Sequence, residues 1–383
     1  MSEYQYYEFL AIERPLEQDE IDGLRALSTR AVITPVSFVN EYHWGGFKSD
    51  ARKLLLRCFD AHVYVANWMT AVFMLRLPIE ALSREIAEAF AVEDTLDIKA
   101  DQNYWIIEWG LWDSENYDRF GVEDGRGWMA RLAPIRDELL RGDIRSLYIG
   151  WLAAVNGEMF ADDLMEPFSV SGMESLTAPQ KALAKFIEAD PDLLAGAGMG
   201  SPALQETQTF QKEMDAWLDA FPRDEAKAVL RQLLEGKGRR AEQSVRNRFA
   251  AWRRGLGDDR TDAPRRSVGE LRKNAEKARH IRAEKQKCDR KRREVKRRRE
   301  REAYLKNLSM DFPKAWNSIQ KTVERGSGPA YDEACNDLSD LSDAYALCAT
   351  RERFKEKMND FMAAHRRRRA LIQRLAKAGV WNE

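Results

Sequence analysis

Along the first 110 residues the apolar positions alternate between a two-residue period and a helical one. Residues 4–12 are aromatic and β-rich, and Pro15 with Glu17 opens an acidic helix that runs to about residue 27. Residues 31–44 (AVITPVSFVNEYHW) read as a second strand, in which Pro35 is admissible only at an edge or bulge. A short amphipathic helix over 50–59 follows, then a strand pair at 62–66 and 72–77, a helix over 79–90, and a closing hairpin at 95–98 and 104–109. The order β-α-β-α-β-β-α-β-β predicts an α+β domain over residues 1–126, with helices on one face of a largely antiparallel sheet; a ferredoxin-like relative is the expected fold.

From residue 127 the period becomes helical, and an all-α region is expected to the end of the chain. Helices are predicted over 128–141, 144–156, 178–189, 204–221 and 223–234, with a basic amphipathic helix at 243–255 closing a domain of residues 127–256. Gly-, Pro- and Ser-rich stretches at 166–176 and 195–202 read as loops, the latter (AGAGMGSP) as a flexible connector. A polar hinge at 257–264 leads into a long basic helix, so that 257–310 form one segment and 311–383 a C-terminal bundle. Helices are expected in that bundle over 311–325, 331–349 and 351–377. Its stripes Leu338, Leu341, Tyr345, Cys348 and Phe354, Met358, Phe361, Met362 have the spacing of packing faces.

Charge changes this picture most. The formal net charge is −1, yet residues 1–235 hold 22 basic against 41 acidic side chains, 236–301 hold 26 against 10, and 302–383 hold 14 against 12. A near-neutral composition therefore conceals an acidic body and a basic rod. Residues 265–301 carry 18 Lys/Arg against 6 Asp/Glu, with no proline or glycine from Glu270 to Asp311. As one helix, 37 residues would span roughly 55 Å. The apolar seam Ile281, Cys288, Val295 is too thin for a two-stranded coiled coil. Only Asp289 with Arg293 and Glu294 with Arg298 place an acid four residues ahead of a base, so most of the charge lacks a local partner.

Such a block seeks an anion. The residues expected to bind nucleic acid, by sequence-independent phosphate contacts, are Arg246, Arg248, Arg253, Arg254, Arg290, Lys291, Arg292, Arg293, Lys296, Arg297, Arg298, Arg299 and Arg301. The composition does not separate RNA from DNA. It also admits a self-assembling scaffold, a homo-oligomer in which the acidic body of one copy receives the rod of another. A third cluster, His365 with Arg366, Arg367, Arg368 and Arg369, is expected to lie around the last helix.

Motifs for catalysis are sparse, and a non-enzymatic adaptor without cofactor or metal is expected. The sequence has no Gly-x-Ser-x-Gly elbow, no Walker A loop, no Gly-x-Gly-x-x-Gly, no Cys-x-x-Cys and no His-Glu-x-x-His. Cys58 and His62 with Glu41 and His43 form a loose metal-type set, and Glu41, His43, Asp60 and His62 an alternative enzymatic set if they converge. The segment 101–128 interleaves Tyr104, Trp105, Trp109, Trp112, Tyr117, Phe120 and Trp128 with acids, a composition suited to a basic helix through carboxylates and cation–π contacts, or to core packing. Four scattered cysteines, no secretory leader and no apolar run near 20 residues point to a cytoplasmic protein with free thiols and no membrane association.

The opening MSEYQYYEFLAIERPL, with LRALSTRAVITPVSFVNEYHWGGFKSD and VYVANWMTAVFMLRLP, resembles a family of uncharacterised bacterial proteins. The tail YDEACNDLSDLSDAYA through HRRRRALIQRLAKAGVW is similar to the C-terminal extension of some bacterial SWIM zinc-finger proteins. The resemblance implies a bacterial cytoplasmic origin and no particular activity. The SWIM motif Cys-x-Cys followed by Cys-x-His is absent, so no zinc ligand carries over.

Overall fold

The computed structural model describes residues 4–112, 114, 125–155, 160–203, 207–255 and 264–381. The chain divides into two compact units, 1–281 and 282–383.

In the first unit, the alternating pattern becomes seven strands: β1 (Gln5–Leu10), β2 (Val32–Thr34), β3 (Ser37–Tyr42), β4 (Ala61–Ala66), β5 (Thr70–Pro78), β6 (Leu96–Asp101) and β7 (Tyr104–Leu111). Their order is β2-β3-β1-β4-β5-β7-β6, and every pairing is antiparallel. The α+β class followed by an all-α region is as the periodicity predicts. Three details of the expected sheet differ, one being that helices cover both of its faces and not one, because both are apolar. A ferredoxin-like split βαβ requires a parallel crossover, and none occurs here. Residues 31–44 form a tight hairpin rather than one strand: Thr34 lies opposite Ser37, so Pro35 occupies the turn, where its fixed φ and missing N–H do no harm.

Helices cover both faces of the sheet. Tyr6, Val63, Val65, Phe73, Leu75, Trp105, Ile107 and Trp109 face one layer, while Phe9, Phe38 and Ile106 belong to a second core. The helices α1 (Gln18–Leu27) and α2 (Ala51–Cys58) supply Leu24, Leu54, Leu55 and Cys58 to that second core. Because apolar residues occur on both phases of the two-residue period, neither face can be left to water. The short α3 (Arg84–Phe90) supplies Ile86 and Phe90 to the first layer.

The first layer continues without interruption into the helical region. It includes α4 (Trp128–Leu132), α5 (Ile135–Leu140), α6 (Arg145–Val155), α7 (Ala178–Phe186) and α8 (Pro191–Gly198), so residues on both sides of 126/127 share one core. The helix predicted over 128–141 breaks between Leu132 and Ile135, around Pro134. Gly150 lets α6 lie directly on the sheet, since a Cβ there would meet the Trp109 ring at 2.8 Å. Beyond this core come α9 (Thr207–Asp219), α10 (Arg223–Leu234) and α11 (Gly238–Gly255), joined by Trp217 against Phe221 and Phe249.

The basic block is a single helix, α12 (Val268–Ser309), and the unit boundary falls within it. In the second unit its last turns are followed by α13 (Phe312–Glu324), α14 (Gly328–Cys348), α15 (Arg351–Ala364) and α16 (Arg369–Lys377). The predicted stripes form their core except at Cys348, which is exposed beyond the last buried turn of α14: Leu338, Leu341 and Tyr345 meet Phe354, Met358, Phe361 and Met362 with Leu371 and Leu375. Side-chain caps on Asp311, Ser327 and Thr350 begin α13, α14 and α15. The helix expected over 351–377 stops at Ala364, and Arg366 and Arg367 lie in the connection instead of along a helix face.

Of the glycine run read as a connector, Ala195 to Gly198 end α8, and Met199 to Pro202 lie beyond it. Its Gly196 faces α12, where a Cβ would come within 2.5 Å of the Ala275 backbone nitrogen. Closeness, rather than flexibility, explains that glycine. Gly196→Ala is expected to lower the stability of the first unit by about 1–3 kcal/mol, the range for overpacking, measured by chemical denaturation; an unchanged midpoint would show that the two backbones can separate freely.

Candidate polyanion-binding helix

The chain enters α12 through a buried charge cluster. Arg266 donates to Glu166 through Nε at 3.0 Å and Nη2 at 3.0 Å, and its Nη1 reaches the carbonyls of Ala197 and Met199. Glu166 is fully buried and also accepts from the Tyr148 hydroxyl. Burial beside this carboxylate pushes the Tyr148 pKa well above its ordinary value, so the hydroxyl keeps its proton. The backbone pairs alongside: Glu166 donates to the Arg266 carbonyl at 2.8 Å and Val268 to the Leu164 carbonyl at 2.8 Å. Ser267 and Glu270 then exchange the reciprocal bonds of a capping box, and the helix begins.

The first turns of α12 are structural. Val268, Leu271, Ala275 and Ala278 are buried at spacings of three and four. Arg272 pairs with Asp162 at 2.6 Å, and Arg279 with Asp192 at 3.2 Å. Asp190 caps α8 nearby, accepting from the Asp192 and Leu193 amides. The acidic body does take part of the rod as its cation, through Arg272 and Arg279.

At the other end, within the second unit, Arg301 reaches Asp340 at 2.6 Å and Asp343 at 2.9 Å, which strengthens its hold on its proton. Leu305 is buried close by. Between these anchored ends, every residue from 281 to 300 except Asp289 is exposed. Twelve Lys/Arg face four Asp/Glu over 282–301. The favourable pairs expected from Asp289 and Glu294 are replaced by Arg290–Glu294 at 3.2 Å, Lys296–Glu300 at 3.8 Å and Arg298–Glu302 at 3.1 Å. Exposed pairs of this kind are worth about 0.3–0.5 kcal/mol each and break readily. Among the described residues, Lys291, Arg292, Arg293, Arg297 and Arg299 have no acidic partner.

Three of the candidates on α11 have acidic partners within the first unit. Arg246 pairs with Asp137 at 3.2 Å and Glu242 at 2.6 Å, Arg248 with Glu225 at 2.5 Å, and Arg253 with Glu213 at 2.5 Å. The Arg254 side chain lies outside the described residues. Of the thirteen sequence candidates, the structure thus gathers eight, Arg290, Lys291, Arg292, Arg293, Lys296, Arg297, Arg298 and Arg299, on one exposed stretch. The missed anchoring role of Arg266, Arg272 and Arg279 was signalled by the apolar spacing of Val268, Leu271, Ala275 and Ala278 beneath the charges.

The enzymatic set does not converge. Glu41 is opposite Tyr6 on one sheet face and pairs with Arg126 at 2.7 Å, whereas His62 is opposite Phe9 on the other. Asp60 accepts from the Ile12 and Glu13 amides and pairs with Arg76 at 2.7 Å, tying strand ends together. Among the described residues no group of three His, Cys, Asp or Glu side chains could hold a metal ion. Trp105, Trp109 and Trp128 are core residues, while Tyr117, Phe120 and most of the neighbouring acids lie outside the described residues. No described helix is long and apolar enough to cross a membrane. Comparison with family models, curated proteins and solved structures finds no match.

Two outcomes test this geometry. Arg266→Ala would leave Glu166 buried without its cation and is expected to cost about 3–5 kcal/mol of first-unit stability; a denaturation midpoint equal to wild type would contradict the clamp. His62 is fully buried against Phe9, and burial pushes its pKa down to about 3 from 6.5. Since the unfolded chain binds the proton first, His62 contributes stability that is whole above pH 6.5 and declines as pH falls toward 3, by up to about 1.4 kcal/mol per unit. His62→Asn should flatten that part of the stability–pH curve between pH 7 and 5; equal slopes in both proteins would count against it.

Proposed function

We propose that this protein is a non-enzymatic adaptor that binds nucleic acid through the exposed middle of α12, chiefly by phosphate contacts. The observation carrying this reading is the set Lys291, Arg292, Arg293, Arg297 and Arg299, exposed and without acidic partners among the described residues. The protein's own carboxylates take the arginines at both ends of the helix and leave this stretch to an external anion. Arginine predominates there, and its fork of donors suits phosphate oxygens.

Neutralising five phosphates gives a slope of roughly −4.5 in log K against log salt, on the order of a 500-fold loss between 50 and 200 mM. Fluorescence anisotropy with labelled oligonucleotides measures it. Replacing those five residues by Gln should weaken binding at least about a hundredfold while circular dichroism stays unchanged, because all five are exposed. An affinity insensitive to salt, or retained by the fivefold variant, would overturn the reading. Salt-sensitive self-association after nuclease treatment, without affinity for added nucleic acid, would favour the scaffold instead.

A further inference from the structure

The cations of α12 are not spread evenly round its axis, and their placement names the kind of nucleic acid. At about 100° per residue, Glu284, Cys288, Val295 and Glu302 fall on one narrow stripe that contains no Lys or Arg between 282 and 301. Roughly opposite is a second, broader stripe, an arc of about 100° that holds Gln286, Asp289, Arg290, Arg293 and Arg297 together with Arg282 and Glu300. To one flank of this second stripe stand Lys285, Arg292, Lys296 and Arg299, and to the other Lys287, Lys291 and Arg298, each row turned roughly 110° from it. The helix therefore has a back without cations, two cationic rails, and a front of mixed hydrogen-bonding side chains.

Resting on the nucleic-acid reading above, we infer that this segment seats in the major groove of duplex DNA, with the rails on the phosphates of the two strands and the front stripe on the base edges. A cationic face on one side alone would suit the outside of a duplex; rails on two flanks are useful only when both walls of a groove are present. A helix with its side chains is about 10–12 Å across, and the B-form major groove is about 12 Å wide. The major groove of A-form RNA is too narrow and deep for this. Single-stranded nucleic acid is ordinarily held by stacking on aromatic rings, and residues 282–303 contain no Phe, Tyr or Trp.

The front stripe also has the residue types that read bases. Arg pairs with guanine through two hydrogen bonds, Gln with adenine, and Asp accepts from the cytosine amino group. Arg293 and Arg297 have no acidic partner among the described residues, and Arg290 is tied only to exposed Glu294. The rails fix position and the front confers a sequence preference.

The test uses the full chain with a randomised duplex DNA, a duplex RNA of matching sequences and a single-stranded oligonucleotide, at one salt concentration. Duplex DNA is expected to bind about tenfold or more tightly than either RNA duplex or single strand, and repeated selection from the random pool should enrich a short motif. Changing Gln286, Arg293 and Arg297 to Ala should erase the enrichment while duplex DNA is still bound. Changing Lys285, Arg292 and Arg299 to Gln should weaken all sequences alike and reduce the salt slope by roughly 0.9 per residue. Equal binding of DNA and RNA, or front and rail variants with the same effect, would overturn the groove assignment and leave the polyanion reading standing. Absence of binding to all three probes would overturn both.

Discussion

The pairing of Arg266 with fully buried Glu166 is the constraint on which the use of the basic helix depends. A carboxylate without exposure is costly unless a cation and further donors meet it, and here Arg266 and Tyr148 both do. The pair fixes the chain immediately before Ser267, so the capping box forms at a defined place and Val268 and Leu271 enter the core. Where α12 starts determines which of its faces is buried, and so where burial ceases. A slip of one residue would turn Ala275 away from Gly196, the position at which α8 has no side chain to obstruct it.

From that start the helix spends its charge unevenly. Arg272 and Arg279 meet Asp162, Asp190 and Asp192, and in the second unit Arg301 meets Asp340 and Asp343. Each of these contacts lies beside buried apolar residues, which hold the ionic groups in register. Beyond the last buried residue, Ala278, and before the next, Leu305, no apolar packing fixes the side chains, and the exposed pairs Arg290–Glu294, Lys296–Glu300 and Arg298–Glu302 join residues four apart. Within the first unit, then, the acidic body pairs with the beginning of the rod, through Arg272 and Arg279.

Much of this was legible in the sequence because it depends on local period. The strand and helix order, the antiparallel sheet and the faces of α14 and α15 follow from residues that repeat every two or every three to four. The second layer on the sheet did not, since Phe9, Phe38 and Ile106 lie on strands whose other phase is equally apolar, and only the partners show that both are covered. The hairpin at Thr34 and Ser37 was marked by Pro35 but read as one strand with the proline at an edge or bulge, because a two-residue turn leaves almost no polar gap. The close approach at Gly196 and the acidic partners of the α11 arginines were not legible for one reason. Their roles depend on what stands opposite them in space, Ala275 for one and Asp137, Glu225 and Glu213 for the others, and no spacing along the chain records that.

The cost of leaving the middle uncompensated falls on the helix itself. Lys287 and Lys291, Arg292 and Lys296, and Arg293 and Arg297 are like charges four residues apart, each pair disfavouring the helix by about 0.2–0.5 kcal/mol. The three exposed acid–base pairs offset a similar amount, leaving intrinsic propensity and the packed first and last turns to maintain the helix. Nothing in the fold of either unit requires cations between 285 and 299, since those side chains touch no core; alanine or glutamine there would give a more stable helix of the same form. Repulsion that the fold does not need is one of the grounds on which we propose an anion supplied from outside. The ordering of its cations, with a row on either flank of a mixed front and none on the narrow back, is the pattern from which we infer a groove rather than a flat surface.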